Sequence, residues 1–215
     1  MRSNVNLNGQ DILHWYKSTG INYTESGFPI LAPLGGIETG IKTMQFSFVK
    51  TAKDKDVYLH FYMHDFLFER IWNNPDRYIT LIQKFKGMFM PDFSVFWDMP
   101  LPLQKFNYYR SLWFAAYAQQ HGIKVIPSAI WSDENSYDWC FGGMPKNDVV
   151  CISAVGCMKE STNKILFYKG LSECMNQLQP KIVLLRISAK SYQEVKRYIE
   201  NLLPNAEIRL VDYVV

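Results

Sequence analysis

The feature that most constrains the fold is a regular alternation of short apolar segments and amphipathic segments from residue 57 onward. The short segments are rich in Val, Ile, Leu, Phe and Tyr, which favours β-strands. The segments between them, about 10–20 residues long, are typical of crossover helices. We therefore predict an α/β fold with a mostly parallel sheet, either open or rolled into a trimmed β/α barrel. A complete eight-unit barrel needs about 250 residues, and this chain has 215.

Local signals indicate where these elements begin and end. Asn74-Pro75 is typical of a helix start, and Gly87 of a helix end. Ser191 and Glu194 have the spacing of a capping box at the start of the last helix. The strands that follow the first predicted pair are expected at residues 88–97, 124–131, 149–155, 181–187 and 207–214.

The beginning of the chain has a different character. Gly and Pro recur too densely for a long helix or strand, so we expect a loop-rich segment (1–40) that packs on an α/β domain (41–215). Its Leu34–Gly40 stretch resembles a phosphate loop superficially but lacks the spacing of known phosphate motifs, which favours an ordinary covering loop. Strands expected at 44–49 and 57–62 flank a short polar turn, and this predicts an N-terminal antiparallel hairpin.

Composition excludes several classes of protein. A formal charge of +3 gives no global signal for nucleic-acid binding. No apolar run approaches the roughly 20 residues of a membrane span, and the polar N-terminus lacks the apolar segment of a secretory signal. Because the chain lacks this signal and is long enough for a core without disulfides, we expect reduced, buried thiols at Cys140, Cys151, Cys157 and Cys174. No pair of cysteines has C-x-x-C spacing, which disfavours a zinc site. We expect a cytoplasmic protein.

The stretch Met88–Asp98 (Met-Phe-Met-Pro-Asp-Phe-Ser-Val-Phe-Trp-Asp) is apolar and aromatic, yet it contains carboxylates. Burying Asp92 in such a run costs several kcal/mol unless the carboxylate is hydrogen-bonded or paired. Two interpretations follow: Asp92 fixes a neighbouring loop through a buried hydrogen bond, or it takes part in catalysis or contacts a ligand.

Ligand sites of parallel α/β proteins lie at the carboxyl ends of the strands, and this rule selects candidate residues without a motif. The candidate catalytic residues are Asp92, Asp65, Asp98 and His64. The candidate ligand-binding residues are Ser94, Arg110, Trp131, Asp133, Ser153 and Gly156. Such carboxylates suit a divalent cation or acid–base hydrolysis, and aromatic rings suit stacking on a sugar or base. The sequence specifies neither a metal nor a cofactor.

Several candidates also have a purely structural interpretation. Asp65 and Asp98 follow strands and could cap the turns that come next. His60 alternates with apolar neighbours, which is more typical of a core histidine than of a base. His64, beside Asp65, is a better candidate base. Cys157 follows Gly156, but no histidine lies downstream of it in the sequence, which disfavours a catalytic thiol.

A set of motifs occurs in a characteristic order: His60-Phe-Tyr-x-x-Asp65, Pro91-Asp-Phe-Ser94, Gln104 to Arg110, Gly122-x-x-Val-Ile-Pro127 with Trp131, Gly142-Gly143, Ser153 with Gly156-Cys157, and Phe167-x-x-Gly170. Over about residues 30–190 the chain resembles a family of uncharacterised proteins carried by phages, prophages and plasmids of mainly Gram-positive bacteria. That family is classified as a domain of unknown function. The resemblance implies that the protein is encoded by a mobile genetic element and acts inside a bacterial host cell. It implies no activity.

Two hypotheses from different classes follow. In the first, the protein binds or hydrolyses a nucleotide-like or other small ligand at the strand ends, with Arg110 as the anion partner. In the second, it is a non-enzymatic phage protein that binds and inhibits a host defence protein. The second predicts an exposed aromatic patch around residues 131–141, because Trp and Tyr dominate interface energetics; its rings would include Trp97, Trp131, Tyr137 and Trp139.

Overall fold

Two parallel β-sheets form the centre of the computed structural model, which describes residues 13–211. The first sheet has the order β1-β2-β3-β4, with strands Thr43–Gln45, Tyr58–His60, Gly87–Phe89 and Val125–Ile126. The second has the order β5-β6-β7-β8, with strands Ser128–Ala129, Val149–Ser153, Ile182–Arg186 and Glu207–Leu210. Every ladder is parallel. The α/β prediction is confirmed.

The two sheets share an interior. The chain runs from β4 into β5 with only Pro127 between them, and proline has no N–H for a ladder. Inward side chains from both sheets form one apolar cluster: Tyr58, Phe89, Ile126, Val149, Cys151, Leu184 and Val211. Among residues 13–211 no ladder joins β8 to β1, so the barrel is not closed. Arg209 Nη1 instead donates to the Ile37 carbonyl at 2.8 Å.

The helices cover the sheets between successive strands. They are α1 (Asp65–Phe68), α2 (Arg70–Asn73), α3 (Pro75–Ile82), α4 (Leu101–Gln120), α5 (Tyr137–Cys140), α6 (Ser161–Leu178) and α7 (Ala189–Leu202). Short 3₁₀ turns span Trp15–Ser18, Phe46–Phe48 and Glu134–Ser136. No helix in the described range 13–211 combines the length and the apolar character that a membrane crossing requires.

The predicted N-terminal hairpin is wrong, because β1 and β2 pair in parallel. The strand expected over 44–49 ends at Gln45, and the chain turns at once into the Phe46–Phe48 3₁₀ helix. Phe46 is fully buried, with its ring centroid 4.8 Å from that of Phe61. This anchor reverses the chain early, and residues 49–57 return it to the starting end of the sheet.

Two further boundaries differ from the sequence prediction. The strand expected over 88–97 is only Gly87–Phe89, because Pro91 cannot continue the ladder after Met90 N–H bonds the Ile126 carbonyl at 2.9 Å. The last helix begins at Ala189, and no side chain caps it. The predicted capping box is therefore not formed; the Glu194 carboxylate pairs with Lys164 on α6 at 2.8 Å instead.

The N-terminal segment packs on the rest of the chain over its described part, residues 13–40. Ile21, Phe28 and Leu31 are buried in the same apolar core as the sheets. The Trp113 indole N–H on α4 donates to the Ser18 hydroxyl at 2.9 Å. A domain boundary at residue 40 stays a prediction. Residues 1–12 of that segment, and positions 212–214 of the predicted last strand, lie outside the described residues.

Candidate functional site

A cleft of about 280 Å³ opens at the carboxyl ends of the central strands. It is bordered by the segments that follow β2, β3, β5 and β6 and by the first turns of α6. Its polar lining consists of Tyr62, Asp92, Ser94, Ser128, Ser132, Ser153 and Asn163. Its apolar and small residues are Val95, Phe96, Trp97, Ala129, Ile130, Trp131, Val155, Gly156, Cys157, Leu166 and Phe167. Clefts at this place in parallel α/β folds are the usual ligand sites.

Asp92 is the acidic residue of this lining. Its side chain is partly buried. Burial and then the negative charge of Asp65 raise its pKa, Arg186 partly offsets them, and the resulting pKa is about 7. Within residues 13–211, no side chain or backbone group of the protein hydrogen-bonds the Asp92 carboxyl, which leaves it available to the cleft. The structural lock that the sequence allowed for Asp92 is not present in this part of the chain.

Asp65 holds the segment that carries Asp92. Its carboxylate accepts the Ser94 backbone N–H at 3.0 Å and the Ser94 hydroxyl at 2.9 Å. From the other side, Asn107 on α4 donates its amide to the Ser94 carbonyl at 2.7 Å. The Ser111 hydroxyl accepts the Phe93 N–H at 3.3 Å. Residues 93–94 are thus fixed to α1 and to α4.

Arg110 supports the arrangement of residues 93–94 from within the protein. Its guanidinium donates to Asn107 Oδ1 at 2.6 Å and to the Glu69 carboxylate at 2.6 Å. It also lies 3.9 Å from the centre of the Phe93 ring. These contacts leave Arg110 committed to the protein interior, so the role of anion partner predicted for it gains no support from its position.

The floor of the cleft is a buried polar cluster. The Tyr62 hydroxyl lies 2.9 Å from the Ser128 hydroxyl and donates to Cys151 Sγ at 3.1 Å. Burial raises the pKa of Tyr62 well above its usual range and that of Cys151 to about 12, so both groups are protonated at neutral pH. The buried Arg186 guanidinium lies 4.4 Å from the Tyr62 ring centre, on β7 beneath the floor.

His60 shares this interior. It is 2% exposed on β2. Burial, and then the positive charge of Arg186, lower its pKa to about 3. The imidazole is therefore neutral at physiological pH, in agreement with the interpretation of His60 as a core histidine.

One wall of the cleft is aromatic and held in place. The Trp131 indole N–H donates to the Leu166 carbonyl on α6 at 3.3 Å. The Trp131 ring packs directly on Gly170, where a Cβ would lie 2.1 Å from Nε1. Phe167 lies beside it, with ring centroids 5.8 Å apart. Trp97, 51% exposed, stands at the mouth.

The structure brings some of the predicted site residues together and separates others. Lining the cleft are Asp92, Ser94, Trp131, Ser153 and Gly156, and Asp65 lies directly behind them. Asp98 and His64 are exposed and outside the lining, and the His64 ring stacks on Phe66 at 5.9 Å. Asp133 caps the 134–136 turn by accepting the Asn135 N–H at 3.0 Å. None of Asp98, His64 and Asp133 lines the cleft, and the site roles predicted for these residues stay predictions.

Sequence reasoning missed several members of the site. Tyr62, Ser128 and Asn163 line the cleft, and none of them was a candidate. The alternation of Tyr58, His60 and Tyr62 along β2 was the available signal, because residues i and i+2 of a strand share a face. Nothing in the sequence pointed to Asn163, which reaches the cleft from the start of α6.

The loop that superficially resembles a phosphate motif binds a carboxylate of the protein itself. The backbone N–H groups of Leu34 and Gly35 both donate to Asp148, the second at 3.0 Å. The favoured interpretation, an ordinary covering loop, fits these contacts.

Among the described residues no group of three or more His, Cys, Asp or Glu side chains is close enough to hold a metal ion.

The exposed aromatic patch expected around residues 131–141 is not formed. Trp139 is 4% exposed and stacks on Phe28 with ring centroids 5.7 Å apart. Trp131 and Tyr137 are partly buried.

The cysteines are free, and Cys140, Cys151 and Cys174 are buried while Cys157 is partly buried. The expectation of buried thiols is thus met at three of these positions.

Fold and cleft together define a class: an α/β protein whose parallel strands present a polar, aromatic-walled cleft at their carboxyl ends. The chain belongs to the family of the domain of unknown function DUF4417, whose family model matches residues 27–205. The resemblance to a phage-carried family is confirmed by the relatives described next.

Two mycobacteriophage proteins are similar to this chain, each 38% identical over 126 residues. The Gene 1 protein of Mycobacterium phage D29 matches 59% of this chain over 47% of its own length. The Gene 1 protein of Mycobacterium phage L5 matches 59% of this chain over 55% of its own length. The chain thus spans about half the length of these relatives. No solved structure matches it.

Proposed function

We propose that the cleft binds a nucleotide-like or other small ligand and that Asp92 transfers a proton to or from it as a general acid–base. The observation that carries this proposal is the position of Asp92: a carboxyl without a hydrogen-bonding partner in the described chain, facing an aromatic-walled cleft at the strand ends. The phage relatives and the free thiols support a setting inside a bacterial host cell.

The chemistry follows from the environment of Asp92. A general acid–base is most effective when its pKa is near the working pH, because both protonation states are then populated. Burial and the nearby Asp65 bring the pKa of Asp92 to about 7. In a hydrolysis, the carboxylate would take a proton from the attacking water, and the resulting acid would give it to the leaving group.

The two-carboxylate mechanism of most glycoside hydrolases fits the cleft less well. That mechanism needs a second carboxyl facing the same bond, about 5–10 Å from the first. Asp65, the neighbouring acid, is occupied by two hydrogen bonds from Ser94. The geometry therefore favours chemistry that one carboxyl can carry out with hydroxyl groups such as that of Tyr62.

A thermal-shift screen against nucleosides, nucleotides, sugars and divalent metals tests the proposal. A ligand at 100 times its dissociation constant adds about 2.7 kcal/mol of stability. We expect at least one shift that the Asp92→Asn variant loses and the Asp98→Asn variant keeps, since Asp98 is an exposed carboxyl outside the cleft. Asp92→Asn showing every ligand-induced shift of the wild type would contradict the proposal.

A second candidate, binding to a host protein, is supported by a surface that contains one ring of the predicted patch, Trp97, together with Phe66 and Phe96. Phe66 is 75% exposed, and Phe96 and Trp97 are 58% and 51% exposed. Exposed aromatic side chains of this size are typical of interface anchors. The test is affinity for a defined host defence protein: a loss of binding in Phe66→Ser with unchanged stability supports this candidate, and unchanged binding contradicts it.

A further inference from the structure

The described lining of the cleft contains no cationic side chain that could bind phosphate. Among its described lining residues there is no Lys, Arg or His, and the carboxyl of Asp92 is negatively charged when ionised. Arg186, the buried cation nearby, lies beneath the Tyr62 ring. A phosphate group would therefore meet a carboxyl and hydroxyls, whereas phosphate sites use Arg, Lys or free backbone N–H groups.

Three backbone N–H groups beside the cleft are already hydrogen-bonded within the protein. In the loop after β6, the Ala154 N–H donates to the Arg186 carbonyl at 3.0 Å and the Cys157 N–H to the Ala154 carbonyl at 3.1 Å. The Val155 N–H lies 3.5 Å from the Ser153 hydroxyl. The N–H groups of Ala154, Val155 and Cys157 therefore already have acceptors in the protein, and these three are not free to bind an anion.

What the cleft does offer suits a flat, uncharged ring. Trp131 is fixed by its bond to the Leu166 carbonyl and by its seat on Gly170, so it presents a rigid aromatic surface at low entropic cost. Bases stack on such surfaces. The volume of about 280 Å³ is just below the usual range of about 300–1,000 Å³ for ligand pockets, which fits a small ligand such as a base or a nucleoside.

We propose that the cleft recognises the base of its ligand, an amino-substituted purine or pyrimidine, with its face near Trp131 and its N–C–NH₂ edge on Asp92. An ionised carboxylate offers this edge two acceptor oxygens, and a protonated carboxyl offers one acceptor and one O–H donor. This inference rests on the proposed function and narrows it, because it assigns recognition to the base and none to a phosphate.

Calorimetric titration with matched ligands tests the edge contact. Three pairs differ in the exocyclic amino group: adenosine and purine riboside, guanosine and inosine, cytidine and uridine. For at least one pair, we expect the amino compound to bind wild-type protein about tenfold more tightly, and the members of that pair to bind Asp92→Ala equally. Asp92→Leu, which fills the space of the side chain without a donor or acceptor, keeps the test valid if Asp92→Ala does not fold. A pair difference that survives both substitutions, or its absence in every pair, overturns the inference.

The phosphate part is tested with the 5′-monophosphate of the best nucleoside and with inorganic phosphate. We expect the monophosphate to gain less than about tenfold over the nucleoside and inorganic phosphate not to compete. A larger gain, or competition, overturns the inference. A short single-stranded oligonucleotide, compared with the free nucleoside, shows which source of the base is preferred, and binding of either one supports base recognition.

These titrations, taken with the thermal-shift screen, separate this inference from the proposed function. Asp92-dependent binding of a sugar or another non-base ligand refutes base recognition and leaves the proposed function standing. Absence of any Asp92-dependent ligand refutes both. Trp131→Leu adds an independent readout: it should weaken both members of each pair by the same factor, because it removes the stacking surface and leaves the edge contact intact. Unchanged affinity in this variant contradicts the stacking arrangement.

Discussion

The Ser94 hydroxyl donates a hydrogen bond to the Asp65 carboxylate, with 2.9 Å between Oγ and Oδ1. The Ser94 backbone N–H donates to the same carboxylate at 3.0 Å. These contacts join the start of α1 to the segment that carries Asp92. Asp65 is therefore a positioning residue, and its charge also acts on Asp92 through space.

Substitution of Asp65 should change both the stability of the protein and the pKa of Asp92. Asp65→Ala removes the acceptor of two hydrogen bonds, and we expect a loss of about 1–3 kcal/mol in the free energy of unfolding. Because the negative charge of Asp65 raises the pKa of Asp92, the variant should also lower that pKa. Denaturant titration and carboxyl carbon NMR measure the two effects.

Asp65→Asn is the matched control for the charge. It keeps an acceptor oxygen for Ser94 but carries no charge, so the loss of stability should be smaller and the pKa of Asp92 should fall in the same direction. An unchanged pKa of Asp92 in both variants would contradict the electrostatic coupling.

Asp92 should make the protein less stable as the pH rises. Its pKa increases from the ordinary aspartate value of 3.8 to about 7 on folding, so the folded state binds the proton more tightly and loses stability as the pH rises from about 4 to about 7. Asp92→Asn removes this penalty. Relative to wild type, it should gain up to about 4 kcal/mol above pH 7 and nothing from this source below pH 4. Unfolding free energies measured from pH 4 to pH 9, with Asp98→Asn as the control, test this prediction.

His60 should contribute to acid sensitivity with the opposite dependence. Its pKa falls from 6.5 to about 3 on folding, so the unfolded state takes up the proton first. The contribution of neutral His60 to the free energy of unfolding is fully present above pH 6.5 and is lost as the pH falls toward 3. We expect His60→Gln to flatten the decline of unfolding free energy between pH 6.5 and pH 4. His64→Gln, at an exposed position, is the comparison variant. A decline as steep in His60→Gln as in wild type would count against the prediction.

Gly170 should be necessary for the aromatic wall. A Cβ at this position lies 2.1 Å from Trp131 Nε1, so Gly170→Ala must displace the indole, at a cost of about 1–3 kcal/mol. The variant should also weaken binding of any ligand that stacks there. Gly142→Ala is a suitable control, since its Cβ would lie an ordinary 3.6 Å from the Thr24 methyl group. Thermal unfolding of the two variants decides: equal melting temperatures would show that Trp131 moves freely.

Much of the architecture could be predicted from local sequence. The helix start at Pro75 and the buried face formed by Tyr78, Ile79 and Ile82 follow from helix propensity and periodicity. The parallel second sheet follows from the alternation of strands and helices. The hairpin prediction failed because a short connection between two strands looks local, while the buried position of Phe46 against Phe61 and Tyr78 is set by distant elements.

The site was predictable only in part. The rule of strand carboxyl ends selected Asp92, Ser94, Trp131, Ser153 and Gly156, and all five line the cleft. The same rule also selected Asp98 and Asp133, because it gives a position along the chain but not the direction of a side chain. Arg110 illustrates the other difficulty: a cation in a helix can face a ligand or an internal partner, and here Glu69 and Asn107 are its partners.

The sequence by itself determined the class of fold, since hydrophobic periodicity and turn residues act over a few neighbouring positions. It also determined that a carboxyl, Asp92, stands in an apolar run, with the cost that this implies. Only the tertiary structure decided what that carboxyl faces. Burial, the charge of Asp65 and that of Arg186 set the pKa of Asp92, and these groups meet because parallel strands far apart in the chain end side by side. Electrostatic energies depend on distances in space, which no local pattern contains.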